Sequence, residues 1–170
     1  MTEINYFAYG SNMSLLRMQK RVPSAKALGV YILAGHLLKF HKAGMDGSGK
    51  GDAYFTGLKT DSVFGVLYSM QYRDKSLLDD AEGLGYGYAE KKVQLKTRTG
   101  EKATGFLYYA TTIDNTLHPF SWYIEHIVVG ARAAALPEPY VDKICGVETI
   151  EDEDRNRDHR ERSLYFEQIS

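Results

Sequence analysis

Seven short apolar segments with strand character recur along the chain, at residues 4–9, 30–34, 39–41, 53–58, 63–70, 89–97 and 104–111, with no helix standing regularly between them. Several alternate, as in Lys91-Lys92-Val93-Gln94-Leu95-Lys96, the pattern of a strand with one face buried. Arg98-Thr99-Gly100-Glu101 reads as the hairpin turn joining the last two segments, and Thr60-Asp61-Ser62 is expected to join an earlier pair. Helical spacing is rarer. It covers residues 11–21, 74–81 and, longest, 119–136, where Ile124, Ile127, Val128, Ala131 and Ala135 share a face; a short helix is expected after Pro139. Strands without βαβ alternation imply an α+β fold, a curved mixed sheet or small β-barrel with flanking helices.

With 170 residues the chain can bury a substantial core as one domain, expected over residues 1–147. Residues 148–170 form a charged tail, expected to be loosely ordered, with Leu164-Tyr165-Phe166 able to dock on the body. A net charge of −1 and the lack of any Lys/Arg cluster argue against a nucleic-acid partner. Cys145 is the sole cysteine, which excludes an internal disulfide and a cysteine-built metal site. The five histidines show no paired ligand spacing, so no metal and no cofactor is expected. Residues 127–136 are too short for a membrane span and contain Arg132, and the start lacks a secretion signal; the expected location is cytoplasmic, with no membrane partner.

Two stretches suggest chemistry. In Tyr6-Phe7-Ala8-Tyr9-Gly10-Ser11-Asn12-Met13 an apolar strand turns at glycine straight into a helix start. Such a turn gathers free backbone N–H groups at one spot, suited to an anion or a developing negative charge, and Ser11 or Asn12 could cap the helix. In Leu78-Asp79-Asp80-Ala81-Glu82-Gly83-Leu84-Gly85-Tyr86-Gly87-Tyr88 a helix ends on a carboxylate. Negative charge is disfavoured at that end of a helix, and burial under Leu84, Tyr86 or Tyr88 would act in the same direction, a tuning that suits a general base. Gly44-Met45-Asp46-Gly47-Ser48-Gly49-Lys50-Gly51 imitates a phosphate-binding loop, but Gly51 replaces its hydroxyl residue and a strand pattern follows. No serine sits in a nucleophile elbow.

Together, Tyr9-Gly10-Ser11-Asn12, Asp46-Gly47-Ser48-Gly49-Lys50, Val63-Phe64-Gly65-Val66-Leu67-Tyr68 and Leu78-Asp79-Asp80-Ala81-Glu82-Gly83 resemble gamma-glutamylcyclotransferases of the AIG2-like superfamily, in the family's order. The Tyr-Gly-Ser-Asn form differs from the Tyr-Gly-Ser-Leu of the glutathione-specific branch. The resemblance implies a small β-barrel with flanking helices, Glu82 as catalytic acid/base, and a substrate-binding loop of Tyr6, Phe7, Ala8, Tyr9, Gly10, Ser11 and Asn12. It also implies a substrate contact from Tyr123. The implied reaction is intramolecular: the α-amine of a gamma-glutamyl amino acid or amine attacks its own γ-carbonyl, releasing 5-oxoproline and the free amine. Nucleophile and electrophile share one molecule, so orientation is the main requirement and no cofactor is called for. The N–H groups near Gly10 would hold either the substrate carboxylate or the oxyanion, and residues 42–51 with the tail would read the leaving group. Family members are often dimeric, which leaves a homodimer open. The rival reading is a non-enzymatic binding module for a gamma-glutamyl or other small carboxylate ligand, and Glu82 argues against it, because a carboxylate adds nothing to the binding of an anion.

Overall fold

The computed structural model describes residues 2–166. In chain order its elements are β1 (Glu3–Ala8), α1 (Leu15–Arg21), β2 (Lys26–Ala34), β3 (His36–Ala43), β4 (Gly49–Phe55), β5 (Ser62–Gln71), α2 (Lys75–Glu82), β6 (Tyr88–Lys96), β7 (Lys102–Ala110), α3 (Ser121–Ala133), α4 (Glu138–Cys145) and α5 (Arg155–Ser163). Five strands close a barrel in the order β1-β5-β2-β6-β7. The parallel β1–β7 contact closes it, while the other pairings are antiparallel, so the barrel is mixed. This is the α+β barrel with flanking helices expected from the strand count.

Period-two alternation sorts each strand's side chains. Phe7, Leu33, Val63, Leu67, Leu95 and Leu107, drawn from all five barrel strands, form one apolar cluster. Tyr6, Tyr68 and Met70 point to the other face, where they meet Met18 of α1, Ile127 of α3 and Val141 of α4. In β6, Val93 and Leu95 are buried while Lys92, Gln94 and Lys96 are exposed, as alternation requires.

One connection differs from expectation. Thr60-Asp61-Ser62 does not turn a hairpin, because β4 and β5 do not pair. The chain instead leaves the barrel at Gly35, whose φ of +73° suits glycine, makes the separate β3–β4 hairpin, and returns. Asp61 O accepts the Gly35 N–H at 2.8 Å, pinning the exit to the re-entry. The imitation phosphate loop is the β3–β4 turn: Asp46 Oδ1 accepts from Ser48 N and Ser48 Oγ, and Asp46 Oδ2 from Lys50 Nζ.

The charged segment after residue 147 folds back on the body. Asp152 is buried, accepting both guanidinium arms of Arg157 and the Trp122 indole N–H, and Asp154 caps α5. Residues 167–170, within the expected tail, lie outside the described residues. Buried His126 of α3 places Nε2 2.9 Å from Glu161 Oε2, which also accepts from Arg17 Nη1 at 3.0 Å. His126 Nδ1 meets the Tyr165 hydroxyl, itself 3.1 Å from Ser14 Oγ. The clasp joins α5 to α1 and α3.

This clasp carries a pH dependence. Burial holds the His126 pKa below its ordinary value. Burial opposes ionisation of Glu161 too, but the His126 hydrogen bond and the Arg17 charge outweigh it and pull that carboxyl down to about 2. Both groups are depressed in the folded state, so each contributes stability above its unfolded value that is lost as pH falls. The His126 share goes below about pH 6.5, and the Glu161 share between about pH 4.5 and 2. The Glu161 share, discounted for partial exposure, is on the order of 1 kcal/mol. Hydrogen exchange on acidification is expected to open α5 before the barrel strands; simultaneous opening would exclude a local clasp.

Candidate active site

The turn after β1 forms first from local chemistry. The bend at Gly10 leads into a single 3-10 turn, Ser11–Met13, and only then into α1. The helix cap is Ser14, whose Oγ accepts from Arg17 N, and not Ser11 or Asn12 as the sequence suggests. Asn12 is thereby free for another task. No hydrogen bond among the described residues falls on the backbone N–H groups of Gly10, Ser11 and Asn12. The turn is held from behind by α3: a Cβ on Gly130 would stand 2.4 Å from Met13 C and Ser14 N, so only glycine permits this approach.

The acidic partner comes from α2. Gly83, at φ +75° and ψ 47°, ends the helix in the left-handed region with its N–H on Asp79 O, which leaves Glu82 in the last turn. Glu82 does not face bulk solvent; its side chain is 16 % exposed and points at the turn after Tyr9. Its Oε1 accepts from Asn12 Nδ2 at 2.7 Å and from Arg21 Nη1 at 2.8 Å. Arg21 Nη1 also donates to Asn12 Oδ1 at 3.0 Å, and Asn12 Nδ2 to the Tyr6 hydroxyl at 3.1 Å. Every polar atom of the Asn12 side chain is therefore used, and Glu82 Oε2 has no partner among the described residues. Of the side chains expected to cover the carboxylate, Tyr88 is buried and lines the recess beside Glu82, while Tyr86 is 83 % exposed.

A small recess of about 20 Å³ lies between the two segments, lined by Tyr6, Tyr9, Gly10, Ser11, Asn12 and Glu82, with Gly51, Tyr88, Tyr108 and Tyr123 completing it. Phe7 and Ala8 are fully buried and do not line it: Phe7 belongs to the barrel cluster and Ala8 to the cluster under the helices. Tyr123, in the first turn of α3, accepts the Gly51 N–H at 2.9 Å, while the Tyr88 hydroxyl donates to Gly51 O at 2.6 Å. The two tyrosines grip β4 at Gly51 and make it one wall. The Tyr9 hydroxyl donates to Tyr108 O, and the Tyr108 hydroxyl to Asp79 Oδ1.

Burial above all, with Glu82 or other charges adding to it, raises the pKa of these tyrosines. Tyr6, Tyr9 and Tyr88 lie well above the ordinary phenol, Tyr123 is pushed up to about 12, and Tyr108 is raised as well. None ionises near neutrality. Glu82 is the one carboxylate lining the recess among the described residues.

The recess adjoins an outer pocket of about 220 Å³ that shares Ser11, Glu82, Tyr88 and Tyr123 with it and adds Arg17, Arg21, Lys42, Lys50 and Asp80. A roomier cleft of about 360 Å³, lined by Leu38, Phe64 and Ile144 among others, shares no lining residue with the recess. Among the described residues no group of three His, Cys, Asp or Glu side chains gathers as a metal site, and no helix is long and apolar enough to cross a membrane. Arg21 and Tyr108 were not legible as site residues, because each acquires its role from a partner remote in sequence.

A family model described as the AIG2-like family matches residues 62–144. The gamma-glutamylcyclotransferase of Mus musculus is 31% identical over 154 residues, covering 86% of this chain and 79% of that protein. The Homo sapiens protein of that name is 31% identical over 151 residues, covering 84% and 78%. A solved structure described as a gamma-glutamyl cyclotransferase superposes with a TM-score of 0.84 at 25% identity, over 95% of this chain and 99% of that one. A Homo sapiens protein described as uncharacterized superposes at 0.82 with 27% identity, over 91% and 94%.

Proposed function

Because the chain belongs to the gamma-glutamylcyclotransferase family, we propose that its recess binds the glutamyl end of a small gamma-glutamyl substrate and that Glu82 moves the protons of the cyclisation. The enzyme converts a gamma-glutamyl amino acid or amine to 5-oxoproline and the free amine. One observation supports the Glu82 role above the others: it is the one carboxylate lining the recess, and its Oε2 has no partner among the described residues.

The substrate α-amine is an ammonium near neutral pH and cannot attack until it loses a proton. Glu82 takes that proton through Oε2 while Asn12 and Arg21 hold Oε1 in place. The amine lone pair then adds to the γ-carbonyl carbon, closing the five-membered ring and leaving a tetrahedral oxyanion. Glu82 returns its proton to the departing nitrogen, the C–N bond to that nitrogen breaks as the carbonyl re-forms, and the ring nitrogen gives up its second proton through Glu82 to the freed amine, which leaves as an ammonium. The free N–H groups of Gly10, Ser11 and Asn12 supply donors for negative charge on the substrate, and the Tyr123 and Tyr88 clamp on Gly51 keeps the opposite wall fixed. Residues 1–147 hold this machinery, and the tail braces it through Arg17.

The test compares a gamma-glutamyl dipeptide with the same compound acetylated on the glutamyl α-amine. The first is expected to give 5-oxoproline and a free amino acid by mass spectrometry, the second nothing. Release of N-acetylglutamate would mean that water is the nucleophile and that the intramolecular mechanism is wrong. Binding without product would favour a carboxylate-binding module.

A further inference from the structure

The outer pocket carries more positive than negative charge: Arg17, Arg21, Lys42 and Lys50 line it against Asp80 and Glu82. Three of these cations have carboxylate partners, Arg17 with Glu161, Arg21 with Glu82, and Lys50 with Asp46. Lys42 has none among the described residues, although only 6 % of it is exposed. Burial lowers its pKa, although the nearby Glu82 and Asp46 charges act the other way, and neither carboxylate makes direct contact with it.

The surroundings aim Lys42 at the reacting end of the pocket. It sits at the end of β3, and its stem passes Gly87, where a Cβ would stand 2.8 Å from Lys42 Cε. Gly87 also has φ +116°, so a side chain there is disfavoured on both counts. Nζ then lies 4.6 Å from the centre of the Tyr88 ring, and Tyr88 lines both the recess and the outer pocket. A group attached to the departing nitrogen passes Tyr88 on its way outward. In an α-amino acid the carboxylate is two bonds from that nitrogen, close enough to reach this ammonium.

Resting on the assignment of the recess to the glutamyl end, we infer that Lys42 is a specificity-determining residue that pairs with the carboxylate of the leaving amino acid. Lys42 thereby selects gamma-glutamyl amino acids over amides and amines that lack that charge. The pairing gives Lys42 the direct carboxylate contact it lacks among the described residues and fixes the leaving nitrogen in front of Glu82.

The test is the ratio of kcat/KM for gamma-glutamylalanine to that for gamma-glutamylalaninamide, which differ only in the charge at the leaving group. The native enzyme is expected to prefer the acid. Lys42→Met, which keeps an unbranched stem over Tyr88, is expected to reduce the ratio about 10- to 100-fold, chiefly through KM, as loss of a charge-assisted hydrogen bond implies. Losses common to both substrates cancel in the ratio, so general damage to the pocket does not imitate the effect. Lys42→Arg is expected to restore part of the preference. An unchanged ratio in Lys42→Met overturns the inference while leaving the cyclisation intact. Absence of 5-oxoproline from both compounds with the native protein overturns the underlying reading, and this one with it.

Discussion

Replacing Glu82 with glutamine is expected to lower kcat by about 100- to 10,000-fold, the usual contribution of a positioned acid/base, with KM changed only a few-fold. An amide oxygen can still accept from Asn12 and Arg21, so the network that orders the recess survives the change. What disappears is the ability to take and return a proton. Thermal unfolding serves as the control, because the Arg21–Glu82 pair is partly exposed and its loss is worth about 1 kcal/mol. Near-native turnover in a folded Glu82→Gln protein would reduce Glu82 to a tether for Arg21.

Gly130→Ala is the second large effect and acts at a distance from the chemistry. The added methyl would stand 2.4 Å from the main-chain atoms Met13 C and Ser14 N at the end of the 3-10 turn, which cannot rotate aside as a side chain could. Either α3 or the turn must move. Overpacking of this kind costs about 1–3 kcal/mol, readable as a lower urea midpoint. Because the same turn carries Gly10, Ser11 and Asn12, a displacement near 1 Å is also expected to lower kcat/KM by about 100-fold. Gly146→Ala is the matched control, since its Cβ would meet nothing nearer than 3.4 Å. Equal tolerance of the two substitutions would show that α3 does not hold the turn.

Local patterns made much of the molecule legible beforehand. Alternation located the barrel strands, and Ile124, Ile127 and Ala131 of the expected apolar face are buried on α3, whereas Ala135 lies past the end of that helix and is exposed. Pairing was less legible, because it depends on where the chain leaves the barrel: Gly35 is one residue among 16 glycines, and nothing in its neighbours marks it as the exit. The site divides along the same line. Glu82 and the Tyr9–Asn12 turn stand out through their flanking glycines. Arg21 does not, because its partner lies 61 residues away and is reached only once α1 and α2 pack together. Asn12 reads locally as a helix cap, but Ser14 takes that place and Asn12 turns across the recess to Glu82. The charged stretch 155–163 has no apolar face to announce a helix, and it is ordered by ion pairs and a cap.

The most direct measurement is a crystal structure of Glu82→Gln with an intact gamma-glutamyl amino acid bound. The account predicts the substrate α-amine within about 3 Å of the side chain at position 82, its γ-carbonyl within the Tyr-lined recess, and an anionic oxygen on the Gly10–Asn12 main chain. A substrate whose α-amine faces solvent, with the side chain at 82 engaged only by Asn12 and Arg21, would contradict it.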